Sequence, residues 1–195
     1  GTFMRFRVHH LIPRHLGHGI AVLATATLTA CAGYSGAGLK PGIATIADVE
    51  ATMGQPAMAW KNRQGQISQL AYPRGPAGWV SFMVYFDDNG KMTRKEQVLD
   101  LKHFTEIKVG QTQDQVLRIL GPYRDTYRFP QKNALDWNWG WCDSSLLRMA
   151  YTVSFDMDTL LVKSTEIWPD PFYQRGGMYS TYCEPWTGDG SFENP

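Results

Sequence analysis

The sequence predicts an α+β fold of two tandem modules. Each has one or two short helices packed on a small antiparallel sheet of three to four strands. Two observations predict it. A helix-like motif occurs twice, with its leading threonines, Thr45 and Thr112, 67 residues apart. Each copy is followed by β-rich runs joined by turn sequences, notably residues 79–86 (WVSFMVYF) and 149–155 (MAYTVSF).

The chain before the first module has a different character. Gly1, Thr2 and Phe3 precede the first plausible initiator, Met4, and are set aside. Arg5, Arg7 and Arg14 make the start basic, and no acid occurs before Asp48. Residues 20–28 (IAVLATATL) are apolar and lead into small residues. Basic, apolar, then small is the order of a secretory signal peptide, here residues 1–30. The apolar run is short of the ~20 residues that a membrane-spanning helix needs. Leu28-Thr29-Ala30-Cys31 looks like the lipobox of bacterial diacylglyceryl lipoproteins. That resemblance implies lipidation of Cys31 as the first mature residue. With Ala32 rather than Asp next, the enterobacterial sorting pattern implies an outer-membrane anchor facing the periplasm. Residues 31–38 then form a lipidated, Gly-rich flexible tether.

Cleavage at Cys31 alters what composition allows. The whole chain has 19 Lys+Arg and 18 Asp+Glu; removing three Arg leaves 16 against 18, or −2. No cationic block remains, which argues against a nucleic-acid partner. Four of the five histidines (His9, His10, His15 and His18) are discarded, so His103 alone remains. A multi-histidine metal site is excluded, and any catalytic triad would have to use His103. Lipidation of Cys31 leaves Cys142 and Cys183, a possible disulfide in an oxidising compartment.

The first module, residues 39–101, opens with a short capped helix. Thr45 can act as N-cap, with Asp48 in the third helical position. Ile46, Val49 and Met53 share a face. Gly54 fits the left-handed position that ends a helix, and Pro56 prevents its resumption. Strands follow around residues 69–72 and 79–86. A turn at Asp87-Asp88-Asn89-Gly90 leads to a return strand at 91–101. The second module, residues 102–170, repeats this. Thr112 and Gln115 have the spacing of a capping box. Val116, Ile119 and Leu120 form the apolar face, and Gly121-Pro122 ends the helix. Strands follow at 135–141, 149–155 and 160–168, with Asp156 and Asp158 in a turn. Val84, Phe86 and Asp87 recur 69 residues on as Val153, Phe155 and Asp156. Residues 171–195 are a Gly/Pro/aromatic tail.

This motif, Gly-x-Thr-x-x-x-Val-x-x-x-Leu-Gly-Pro with a Trp-rich strand and a later strand ending Phe-Asp, resembles the SmpA/OmlA domain of BamE lipoproteins. The tandem form is similar to β-lactamase-inhibitor-protein-like folds. The resemblance spans about residues 39–170. It implies a non-catalytic periplasmic protein-binding or scaffold module, an accessory of outer-membrane β-barrel protein assembly, with that machinery as protein partner. The alternative is an inhibitor or sequestering module for a periplasmic enzyme. An envelope hydrolase ranks last.

Aromatic residues supply the candidate recognition surface. Trp137, Trp139 and Trp141 alternate along a strand, so their indoles share one face. That face either lies in the core or, with Tyr123, Tyr127 and Phe129, anchors a partner. His103, in the connector between the modules, is expected to be structural or solvated. No nucleophile elbow or phosphate loop occurs, and no cofactor, metal or catalytic residue is assigned.

Overall fold

The computed structural model describes residues 35–74, 79–171 and 182–183. Cys31, the 1–30 segment and most of the 171–195 tail lie outside the described residues. Within them the order is α1 (Ile46–Met53), β1 (Met58–Lys61), β2 (Ile67–Pro73), β3 (Ser81–Phe86) and β4 (Met92–Gln97). Then come α2 (Leu101–Phe104), α3 (Gln113–Leu120), β5 (Asp125–Phe129), β6 (Ala134–Cys142), β7 (Arg148–Asp156) and β8 (Val162–Pro169). The strands form two antiparallel four-stranded sheets, ordered β1-β2-β3-β4 and β5-β6-β7-β8. The fold is therefore α+β with a two-module arrangement.

The helix starts have a local cause. Thr45 Oγ1 accepts from Asp48 N–H while Thr45 N–H donates to Asp48 Oδ2. Thr112 and Gln115 exchange the same two bonds. Each box satisfies N–H groups that the first helical turn leaves open. The helix ends differ from the left-handed geometry expected of them. Gly54 (φ 86°, ψ −167°) and Gly121 (φ 75°, ψ −171°) adopt an extended positive-φ conformation. That region is essentially restricted to glycine. Their N–H groups still bond Glu50 O and Leu117 O, which closes the last turn.

Each helix buries one face on its own sheet. Val49 and Met53 pack on Leu70, Tyr72, Phe82, Val84 and Phe86. Val116 and Leu120 pack on Trp137, Trp139, Tyr151, Val153 and Phe155. Strand alternation puts Trp60, Gln69, Ala71 and Met83 on the opposite face of the first sheet. That face is covered by α3, so α3 lies between the two sheets. Leu117 joins the Trp60–Ala71–Met83–Val98 cluster. Trp60 Nε1 donates to Asp114 Oδ1 at 2.9 Å, and Gln69 Nε2 donates to the Arg118 carbonyl. Gly121 closes the contact: a Cβ there would stand 3.0 Å from Ser81 Oγ and 3.3 Å from Met83 Cε.

Three carboxylates tie this framework to pH. The Thr45 N–H holds the Asp48 carboxyl below its ordinary value near 3.8. Arg118, through its guanidinium hydrogen bond, does the same for Asp114, as do the Thr159 and Asp158 N–H groups for Asp156. A carboxyl whose folded pKa is depressed binds fewer protons folded than unfolded. Its contribution is present above the ordinary value and is lost as pH falls through the folded one. Urea midpoints should hold steady above about pH 5 and decline between about pH 4 and about pH 2. A flat profile across that acid range would contradict these capping and pairing roles.

Candidate binding cleft

The three indoles of β6 are in the core. Trp137, Trp139 and Trp141 are 7%, 1% and 5% exposed. They do not form the exposed recognition row considered from the sequence. The physical reason is α3: its apolar face needs a large flat partner, and the row supplies it. Trp139 Nε1 also donates to the Gly121 carbonyl at 3.1 Å, satisfying an acceptor at the helix end. Tyr123 stacks on Trp137 with centroids 4.5 Å apart and keeps an exposed edge. Tyr127 is exposed, but pairs with Asp136 in register, so it stands on the other face of the sheet from the indoles. The five residues of that candidate surface are thus divided between the core, the segment before β5 that carries Tyr123, and the far face of β5 that carries Tyr127.

That outward face of the second sheet carries a hydrogen-bonded polar chain. Trp168 Nε1 donates to Thr152 Oγ1, Thr152 to Asn138 Oδ1, and Asn138 Nδ2 to Asp125 Oδ1. Arg124 bonds Asp125 and grips Asp170 with both terminal nitrogens. Gly140 leaves room for it, since a Cβ there would meet Arg124 Nη1 at 2.5 Å. Asp170, Asn138 and Thr152 are buried, so their bonding satisfies groups that would otherwise be costly. This chain ties the strands together.

His103 is also structural in its setting. It is buried at the connector, with Nδ1 2.7 Å from Asp100 Oδ1 and Nε2 3.5 Å from Glu96 Oε2. Asp100 additionally caps α2 through the His103 N–H. Asp87 and Asp156 accept from backbone N–H groups of their own turns, as their sequences suggest. Among the described residues no group of three or more His, Cys, Asp or Glu side chains could hold a metal ion.

Where the modules meet, a cleft of about 550 Å³ opens. Trp79, Val80 and Gln97 of the first module form one wall. The connector supplies Leu99, Asp100, Leu101 and Lys102. Trp141, Cys142, Asp143, Ser144 and Leu146 of the second module supply the rest. Leu101 and Leu146 are exposed, at 55% and 38%, although both are large and apolar. The Trp141 indole N–H is buried and donates to no acceptor among the described residues. Apolar walls with a few polar groups are the usual make-up of a recognition cleft.

The rim of the cleft is built rigidly. Asp143 Oδ1 accepts from Ser145 and Leu147 N–H, which folds the β6–β7 turn tightly. Within it Leu146 is held at φ 61°, a conformation that a branched side chain rarely adopts. Cys183 N–H bonds the Leu146 carbonyl, and Cys183 is disulfide-bonded to Cys142 with Cα atoms 5.9 Å apart. Arg148 lies 4.4 Å from the centre of the Trp79 ring, a cation–π contact that joins the two walls. Sequence reasoning did not find this cleft. Its residues come from three separate segments, 79–80, 97–102 and 141–146, and none of them forms a motif.

A shallower groove of about 430 Å³ runs between α2 and β8, beside Phe104, Ile107, Tyr151 and Ile167. Tyr151 there already donates to the Phe104 carbonyl. The cleft is the better candidate because it is larger and sets Trp79 and Trp141 beside two exposed leucines, Leu101 and Leu146.

No protein-family profile matches the chain, and no curated protein matches it significantly. Among solved structures it is similar to a DUF4309 family protein (YjgB) from Bacillus subtilis, at 16% identity, over 71% of this chain and 90% of that one. The TM-score is 0.26, too low for this likeness to carry an argument about fold or function.

Proposed function

We propose that the protein is a non-catalytic lipoprotein that uses the cleft between its modules to hold an apolar segment of an envelope protein. The observation that carries this reading is the open cleft, lined by Trp79, Leu101, Trp141 and Leu146. Exposed Leu101 and Leu146 beside Trp79 and Trp141 suit a peptide that offers apolar side chains. The basic, apolar and small-residue order before Cys31 supports export and acylation there. Multiple acyl chains hold a protein stably at a membrane, which raises the local concentration of the site for membrane-embedded partners. The SmpA/OmlA-like capped-helix motifs make the β-barrel assembly machinery the first partner to test, at the periplasmic face of the outer membrane. Photo-crosslinking from position 146 in living cells is the experiment: an adduct with a subunit of that machinery is expected, and its absence would remove the role.

A further inference from the structure

The chain enters the first module under firm restraint. Lys95, on β4, donates from Nζ to the carbonyls of Ser35 and Gly36, the latter at 2.9 Å. Ser35 is 1% exposed, and Gly36 is buried too. A Cβ at Gly36 would fall 2.7 Å from Met53 Sδ and 2.9 Å from Leu39 Cδ1, so the backbone passes directly against the core. Further along, Gly42 N–H bonds Met92 O and Met92 N–H bonds Ala44 O, which fastens the segment to the β4 edge. Burial pushes the Lys95 ammonium below its ordinary range, which reflects how closely this segment covers it.

The segment expected from its composition to be a flexible tether through residue 38 is therefore held from Ser35 onward. Four residue steps separate Cys31 from Ser35. An extended chain spans at most ~3.6 Å per residue, so the two lie within about 14 Å. A tether free to residue 38 would reach about twice as far. We propose that the lipid anchor holds the β4 side of the first module directly against the bilayer. The membrane surface is the occupant of that side, and the module does not swing freely below it. This rests on the reading that Cys31 is acylated. Gln97 and Leu99, two and four residues beyond Lys95, line the cleft. The cleft is thereby set close to the lipid surface, within reach of segments that leave the membrane.

The test uses the full chain, matured in cells, purified and reconstituted in phosphatidylethanolamine vesicles containing a headgroup-nitroxide lipid. A fluorophore is placed through Lys40→Cys or, on the β1–β2 turn, through Arg63→Cys; both positions are exposed. The mass of the N-terminal peptide reports acylation of Cys31. With acylation present, quenching at position 40 should exceed that at 63 several-fold, and Lys95→Met should reduce the difference. Should Lys95→Met fail to fold, a Gly-Ser spacer of about ten residues inserted after Tyr34 serves the same purpose, because it lengthens the reach without touching the module. Equal quenching at the two positions in acylated protein would overturn the proposal and leave the anchor intact. Absence of the acyl mass would overturn both.

Discussion

Trp139→Ala should cost the protein about 3–5 kcal/mol, the range for removing a large aromatic side chain from a packed core. Trp139 is 1% exposed and sits under α3. Its truncation opens a cavity between helix and sheet, and it also removes the bond from Nε1 to the Gly121 carbonyl. The second loss falls at the point where Gly121 is pressed against Ser81 and Met83 of the first module. The damage should therefore be felt in both modules. In thermal denaturation a loss of this size lowers the midpoint by roughly 10 °C in a domain of this length. Trp168→Ala, on the outward face and 36% exposed, should cost much less. Equal effects of the two substitutions would mean that the α3–β6 contact is not the core of the second module.

Cys183→Ser should be the next most damaging change. The Cys142–Cys183 bridge spans a sequence separation of 41 residues. Loop-closure entropy for a span of that length corresponds to about 4 kcal/mol of stabilisation. The bridge also holds the Leu146 turn, since Cys183 N–H bonds the Leu146 carbonyl and Arg148 Nε bonds the Tyr182 carbonyl. Cys183→Ser should thus lower the urea midpoint and loosen the cleft rim together. The Cys142→Ser/Cys183→Ser pair should match the single variant, because the effect belongs to the bond. A midpoint indifferent to dithiol reductant would contradict it.

The helices were legible because their signals are local. Thr45 with Asp48, and Thr112 with Gln115, specify each start within four residues, and Gly54 and Gly121 specify each end. The central strands were legible as β-rich runs between turns. β1 and β5 were not, since MAWK is only four residues long and DTYRF is almost wholly exposed. Neither presents a clear period-two pattern to read. The 101/102 boundary between modules falls inside α2 for a similar reason: a single helical turn has no periodicity of its own.

The site was less legible than the fold. Alternation put Trp137, Trp139 and Trp141 on one face, but a strand's sequence does not say which face a helix will cover. Leu117 was the signal available. It lies outside the stripe of Val116, Ile119 and Leu120, and a helix with a second apolar position can bury a second side. The cleft depended on that same packing. Trp79, Leu101, Trp141 and Leu146 come from separate segments that only the packing of the two modules brings together.

The central claim is that this cleft receives the partner, and photo-crosslinking in living cells tests it most directly. A photoreactive residue is placed at Leu146 on the rim, and a control at Thr126 on the far edge strand β5. The account predicts an adduct from position 146 with a subunit of the β-barrel assembly machinery, weakened by Leu101→Glu and absent from position 126. Adducts with those subunits from position 126 and none from position 146 would contradict it.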